Sequence, residues 1–351
     1  PGDAVSKLRE GDVALASDGD PVEGHAELAR IERLGGESGD EVVVTVDEPL
    51  SLRRLDVYPS EISVDRMLTA LHDAVLKGDP ERKDVLFGRR EPEFRDGSAT
   101  FVDNNAAQND AVNLAVNAED CALLHGPPGT GKTYTIARTI RALVERGDRV
   151  LLSAFTNRAV DNALEALREQ GCEEIVRFGT ETGVREDMRD LRLVKEGEPN
   201  ARAAELNGAS VVAATTSSCG SRAMREQSFD VALVDEASQL TEPNTLAAVN
   251  LADRFVLVGD HQQLPPVVRA ENDLRKSLFE RLVDAYPDAS VMLDRQYRMS
   301  QRIQAFASAE FYDGRLRPAT GEVAGQHLSD LGVDIADLPS EVRDPVSFVD
   351  P

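Results

Sequence analysis

The chain has no tryptophan, three cysteines, five histidines and, among 39 basic residues, only six lysines: Lys7, Lys77, Lys83, Lys132, Lys195 and Lys276. Each scarcity removes a class of protein. Cys121, Cys172 and Cys219 are scattered without metal spacing or a disulfide framework, which leaves inert thiols in a reducing cytoplasm. His25, His72, His125, His261 and His327 are too dispersed for a ligand set. No apolar run is long enough for a transmembrane span or a signal peptide, so no membrane partner is expected and the chain reads as cytoplasmic. The lysine shortage accompanies 63 acidic residues, a net charge of −24 and a pI near 4.6. Nucleic-acid binders usually carry the opposite, a basic footprint. Acid excess with 5% aromatics instead suggests a haloarchaeal proteome adapted to high salt, where the charge reports habitat rather than partner. In about 1 M salt the Debye length is roughly 3 Å, so carboxylates scarcely repel phosphates and binding rests on hydrogen bonds and stacking.

What is present is a phosphate-binding loop. Gly126-Pro127-Pro128-Gly129-Thr130-Gly131-Lys132-Thr133 matches G-x-x-x-x-G-K-[ST]. Its glycines let successive N–H groups turn toward an anion, Lys132 offers a point charge to the β- and γ-phosphates, and the Thr133 hydroxyl suits Mg²⁺. The apolar run Ala122-Leu123-Leu124 precedes it as a buried strand would. Ile136, Ile140, Leu143 and Val144 follow at helical spacing, with Gly147 as the cap. The triphosphate of ATP is therefore expected at a helix N-terminus, held by residues 126–134 including Tyr134.

A second strand, Val231-Ala232-Leu233-Val234, closes on Asp235-Glu236 about 100 residues downstream. Asp235 is expected to reach Mg²⁺ and Glu236 to orient the attacking water, which makes the reaction phosphoryl transfer to water. Gln108, about 18 residues before the loop, has a side chain able to read both edges of an adenine. Further strands end at Ser153-Ala154-Phe155-Thr156-Asn157, at Ala214-Thr215-Thr216 and at Gly259-Asp260-His261-Gln262-Gln263, and Gln296-Tyr297-Arg298-Met299 comes later.

Seven ordered elements carry a resemblance: the Gln108 segment, GPPGTGKT, SAFTNRAVDNAL, VVAATT, VDEASQ, VGDHQQLPPV and LDRQYRMSQRIQAFASAEFYDGRL. Across roughly residues 60–317 the chain resembles the superfamily 1 helicases, in the branch of the nonsense-mediated-decay RNA helicase and the Okazaki-flap nuclease–helicase. The resemblance implies ATP-driven 5′→3′ translocation on single-stranded DNA, with RNA as the near alternative and a non-translocating strand clamp as another. It implies that Gln263 senses the γ-phosphate, that Arg298 is an arginine finger from a second motor domain, and that Thr156, Asn157 and Thr215 touch the nucleic-acid backbone. The residues by themselves leave other roles open: helix capping for Thr156-Asn157, a solvent-facing position for Gln108, loop closure for Gln263 and a surface ion pair for Arg298.

The expected fold is α/β, a RecA-like P-loop NTPase with a mostly parallel sheet. A small antiparallel β-barrel is expected over residues 1–60, from the runs Val13–Ala16, Ala26–Ile31 and Val42–Val46. A stalk helix and linker follow over 61–95, with Val64, Leu68, Leu71 and Val75 as its packing face. The first motor domain covers 96–290 and the start of a second covers 291–351. The chain opens at Pro1 without an initiator Met and ends about 50 residues past Arg298. It is therefore expected to be a fragment lacking the rest of the second motor domain, weakly active alone, with room for a nuclease upstream.

Overall fold

A computed structural model describes residues 13–20, 24–34, 42–46, 49–57, 61–103, 105–193, 199–268, 273–332, 334 and 346. The expected glycine turn at 35–39 and most of the stretch after 332 lie outside them. The chain divides into two compact units, residues 1–65 and 66–351.

The first unit is an antiparallel sheet of four strands, β1 (Val13–Ser17), β2 (Ala26–Leu34), β3 (Val42–Val46) and β4 (Arg54–Val57), in the order β3-β2-β1-β4. Three of these were legible as β-branched runs; β4, with Arg54 and Asp56 in its four residues, was not. Among the described residues β3 and β4 share no ladder, so the expected barrel is a sheet with two edges. Ala14, Ala16, Ala29 and Ile31 form its buried side.

The second unit is built on seven strands, β5 (Cys121–His125), β6 (Val150–Ala154), β7 (Ile175–Phe178), β8 (Val211–Thr215), β9 (Phe229–Asp235), β10 (Ala252–Gly259) and β11 (Ser290–Met292). They are ordered β11-β5-β10-β9-β6-β8-β7, and every pairing is parallel. Their apolar side chains alternate between two cores. Leu123, Leu151, Val234 and Leu257 point to one face, and Leu124, Leu152, Leu233 and Val258 to the other. Burial on both faces is what a continuous apolar run demands, and helices provide it. The helices Ala106–Asn117, Lys132–Glu145 and Asn157–Glu169 cover the second face through residues such as Val112, Ile140 and Leu164. Glu242–Val249 and Leu278–Ala285 cover the first through Leu246 and Leu282. Gly147, at φ +91°, ends the helix after the phosphate loop; its N–H donates to Val144 and that of Asp148 to Leu143, which satisfies the last carbonyls.

Residues 290–292 form β11 beside β5 in the seven-stranded sheet. The helix Glu61–Leu76 is present, but its expected packing face is exposed: Leu68 is 59% and Val75 53% accessible. Ala70 and Ala74 are the buried positions, and polar bonds complete the contact. Arg66 donates to the Ser217 carbonyl (2.8 Å), Asn250 to the Ala70 carbonyl (2.8 Å), and Arg225 pairs with Asp73 (2.8 Å). Small residues let the helix backbone lie close to its neighbours, and larger ones are left in water. No described helix is long and apolar enough to cross a membrane.

The buried alanine face predicts an asymmetry measurable by chemical denaturation. Ala74→Glu should cost about 2 kcal/mol or more, because it places a charge in a closed site, whereas Leu68→Gln should stay within about 0.5 kcal/mol. The reverse order would restore the leucine face as the packing face.

Candidate nucleotide site and strand-end edge

Parallel pairing brings the carboxyl ends of all seven strands to one edge, and the strand order sets the motifs next to one another there. β5, which enters the phosphate loop, lies beside β10, which ends in Gly259-Asp260; β10 lies beside β9, which ends in Asp235-Glu236. The Gly126 N–H donates to the Gly259 carbonyl (2.9 Å), tying the start of the loop to β10.

Within the loop, Gly129 (φ +75°) and Gly131 (φ +77°) occupy the left-handed region. Crowding adds to the constraint. A Cβ on Gly129 would stand 2.7 Å from Arg298 Cβ, and one on Gly131 2.6 Å from Gln108 Nε2. Thr130 is buried, its hydroxyl donating to the Pro127 carbonyl (2.7 Å). Lys132 Nζ donates to the Gly126 carbonyl (2.6 Å), so the ammonium is folded onto its own loop. Burial pulls the Lys132 pKa down, against the pull of Asp235 and Asp260, and the nearby Arg298 charge lowers it further. Thr133 and Tyr134 are exposed at the first turn of the helix Lys132–Glu145, with Pro127 buried and Pro128 half-buried beneath them.

Gln108 does not face solvent. It is buried, and Nε2 donates to the Thr130 carbonyl (3.0 Å), while its N–H is capped by Asn105 Oδ1 (3.0 Å). Its amide nitrogen is thus engaged with the loop backbone. A cavity of about 690 Å³ opens alongside, lined by Asn105, Ala106, Met292, Tyr297, Arg315 and Arg317 among others. Asn105 Nδ2 donates to the Tyr297 hydroxyl (2.8 Å) and so anchors that ring at the cavity.

Asp235 and Glu236 stand at the carboxyl end of β9, beside the end of β10. Burial pushes the Asp235 carboxyl up; burial and the Asp235 charge do the same for Glu236. Glu236 is one of two non-glycine residues with positive φ among those described (+54°), and its Oε2 is buried without a hydrogen-bond partner. Strained backbone and an unsatisfied buried carboxylate oxygen in one residue fit an aqua ligand or a water held by that oxygen.

Asp260 is a hub that sequence reading did not assign. His125 Nε2 lies 2.9 Å from Oδ1; Gln263 Nε2 (2.6 Å) and the Tyr312 hydroxyl (2.8 Å) donate to Oδ2. Burial would raise this carboxyl, but those bonds outweigh it and hold it below its usual range. Gln263 therefore closes its own loop here, the alternative left open for it. The histidines judged dispersed are not all so in space, since the rings of His125 and His261 are 4.6 Å apart.

The segment after β11 rests on the phosphate loop. The Tyr297 N–H donates to the Gly129 carbonyl (2.8 Å). Buried Gln296 accepts from the N–H groups of Arg298 (2.8 Å) and Met299 (2.7 Å), which fixes the turn that carries Arg298. The Arg298 side chain is exposed and makes no ion pair among the described residues, so the surface-pair alternative has no support.

Farther along the edge, Thr156 caps the helix Asn157–Glu169 by accepting from the Ala159 N–H (3.1 Å), and Thr215 accepts from the Ser218 N–H (3.3 Å). Capping is thus what both hydroxyls do, and that of Thr215 also shares a hydrogen bond with the Ser218 hydroxyl (2.9 Å). Phe155, between them and β6, is half exposed. Cys121 and Cys219 are fully buried, and burial pushes the Cys219 thiol up to about 12.

Two AAA-domain families match the chain, one over residues 103–198 and 184–271 and the other over 274–350. A DNA replication ATP-dependent helicase/nuclease of Arabidopsis thaliana is 38% identical over 64% of the chain and 17% of its own length. The corresponding Saccharomyces cerevisiae protein is 35% identical over 70% of the chain, again 17% of its own length. A DNA polymerase alpha-associated DNA helicase of Schizosaccharomyces pombe is 30% identical over 87% of the chain and 55% of its length. The chain thus spans about a sixth of the first two relatives. Among solved structures, an arterivirus nonstructural protein 10 (helicase) in complex with DNA aligns over 90% of the chain and 56% of its own, at 13% identity and a TM-score of 0.46.

The raised Asp235 carboxyl has a definite sign in stability. It binds its proton more tightly folded than unfolded, so it costs stability above the ordinary aspartate range and nothing once both states are protonated. Asp235→Asn should raise the calorimetric midpoint of the nucleotide-free chain by about 2–4 °C near neutral pH. That gain should vanish below about pH 4. An equal or lower midpoint near neutrality would mean that the carboxylate is well solvated.

Proposed function

We propose, proceeding from a chain that belongs to the superfamily 1 helicases, that it is the nucleotide-hydrolysing core of a 5′→3′ DNA helicase acting in replication or repair. The observation that carries the reading is the convergence of three adjacent strand ends. β5 brings the loop and Lys132, β10 brings Asp260 with Gln263, and β9 brings Asp235 with Glu236, all on one edge. That set provides what phosphoryl transfer to water needs: an anion cradle, a metal-binding carboxylate and a base for the water.

In this reading ATP is the substrate. Its phosphates are taken by the loop N–H groups of residues 126–134 and by Lys132, which must give up the Gly126 carbonyl. The base has room in the cavity beside Asn105 and Tyr297, with Gln108 supporting the loop from beneath. Mg²⁺, when bound, neutralises charge on the phosphate oxygens. Glu236, its carboxylate unsatisfied and its pKa raised, takes the proton of the attacking water. Gln263, released from Asp260, turns to the terminal phosphate. Arg298 stands over the loop as the residue that stabilises transition-state charge, an effect worth on the order of 10³–10⁵ in rate for such arginines. Thr156, Asn157 and Thr215, at the ends of β6 and β8, offer donors to the backbone of a single strand. Phe155 offers a ring to a base, a short-range contact suited to high salt.

The domain plan follows the same reading: an accessory N-terminal sheet, a first motor domain holding the nucleotide, and a second beginning after β11. The helicase/nuclease relatives make a nuclease elsewhere in the full protein part of the proposal. The acid-rich composition supports a haloarchaeal cytoplasm as its setting.

The test is ATP hydrolysis in about 2 M KCl, where carboxylate repulsion is screened, with and without single-stranded DNA. Turnover should rise with DNA, and Glu236→Gln should lower it about 10²–10⁴-fold while nucleotide still binds. Lys132→Ala should lose nucleotide binding, and turnover unchanged in Glu236→Gln would remove Glu236 as the base.

A further inference from the structure

Among the described residues one arginine is buried completely. Arg177, in the middle of edge strand β7, is 0% accessible and spends its whole guanidinium on three partners. Nε donates to Asp161 Oδ1 (2.8 Å), Nη1 to the Phe178 carbonyl (2.8 Å) and Nη2 to Asn157 Oδ1 (2.8 Å). Asp161, itself 1% accessible, uses its other oxygen to accept from the Arg185 N–H (2.9 Å). A buried ion pair is weak evidence for stability, since desolvation offsets much of the attraction, so its third bond points to something other than stability.

That bond determines the orientation of Asn157. A guanidinium carries donors only, so the asparagine must present its carbonyl oxygen to Arg177, and its NH₂ then points the other way. The side chain is exposed, and Nδ2 donates no hydrogen bond among the described residues. Gly183 leaves the amide uncovered, for a Cβ there would stand 3.0 Å from Nδ2. The result is a pair of N–H donors held open at the first turn of a helix, beside the hydroxyl of Thr156. Such a pair matches an acceptor-only ligand, a phosphate oxygen of a nucleic-acid backbone, and not a donor such as a base amino group.

Resting on the functional reading above, we propose that Arg177 is a positioning residue for strand binding: it fixes the Asn157 amide with its NH₂ toward the phosphate backbone. Without the guanidinium the amide is free to turn, and half of its orientations offer an oxygen to a phosphate. The inference explains why a charge is buried in an edge strand and why its partner set crosses from β7 to the helix beginning at Asn157.

The experiment measures anisotropy of a labelled oligo-dT strand in about 2 M KCl, with thermal midpoints as a folding control. The variants are Asn157→Ala, Asn157→Asp, Arg177→Lys and the Arg177→Lys/Asn157→Ala double. Asn157→Asp keeps the acceptor for Arg177 and removes both donors, so it should weaken binding at least about tenfold, at or beyond Asn157→Ala. Arg177→Lys keeps a charge for Asp161 but loses the fork; it should weaken binding in the wild-type background and have no further effect once Asn157 is alanine. Equal weakening in both backgrounds, or unchanged affinity in Asn157→Asp, overturns the inference. Should Arg177→Lys fail to fold, Arg177→Gln takes its place in both backgrounds, with the same two outcomes. A wild-type chain that binds no strand overturns the functional reading itself, a result distinct from binding that ignores Asn157.

Discussion

Parallel pairing of the seven central strands is the constraint on which the rest depends. It places every carboxyl end on one edge, and the register keeps those ends level. His125 pairs with Gly259, Ala154 with Asp235, and Thr215 with Ala154. A sheet of this kind must be covered on both faces, because the side chains on both are predominantly apolar. The helices that cover it are the segments returning the chain to the next strand. The edge is therefore left to loops, and the loops carry the chemistry. In an antiparallel arrangement β10, which lies between β5 and β9, would carry Asp260 and Gln263 to the edge opposite the phosphate loop and the acidic strand end.

At that edge polar groups satisfy one another. Lys132 rests on the Gly126 carbonyl, Gln263 on Asp260, and Gln108 on the Thr130 carbonyl. Each such bond contributes roughly 0.5–1.5 kcal/mol net, so exchange for a phosphate is easily favourable for Lys132 and Gln263. Asp260 differs because four groups converge on it, from β5, from its own loop and from the helix Gln301–Phe311. It links the strand that enters the phosphate loop to the segment that follows Arg298. Glu236 is the opposite case, a carboxylate oxygen buried with no partner, and the cost of that burial appears in its raised pKa.

The few cations of this acidic chain are used structurally, which helps explain why so many are arginine. Arg149 donates to the carbonyls of Leu206, Ser228 and Ala209, and its guanidinium lies 4.4 Å from the centre of the Phe229 ring. Arg254 pairs with Asp148 (2.7 Å), and Arg281 with Glu242 while also donating to the Leu86 carbonyl. A planar fork can bridge several acceptors at once, whereas an ammonium gathers fewer in fixed geometry. Lys132 is the exception because the phosphate loop calls for a compact charge on a flexible stem.

The sequence by itself determined the phosphate loop, the acidic strand end and the alternation of buried strands with helices. These are local: Gly129 and Gly131 need positive φ wherever they stand, and runs such as Val231–Val234 can only be buried. The buried face of the helix Asn157–Glu169 is likewise local, because Val160, Ala163, Leu164 and Leu167 repeat at helical spacing. The face of Glu61–Leu76 was misread, since Ala70 and Ala74 carry little apolar signal yet allow the closest approach. β7 escaped notice because Arg177 interrupts its apolar run, and only Asp161 and Asn157, 16 and 20 residues away, make that burial possible. The order of strands, the Asp260 hub, the seat of Gln296 beneath Arg298 and the orientation of Asn157 depend on which distant groups meet. Spacing along the chain does not encode those meetings; the packing of the sheet and its helices decides them.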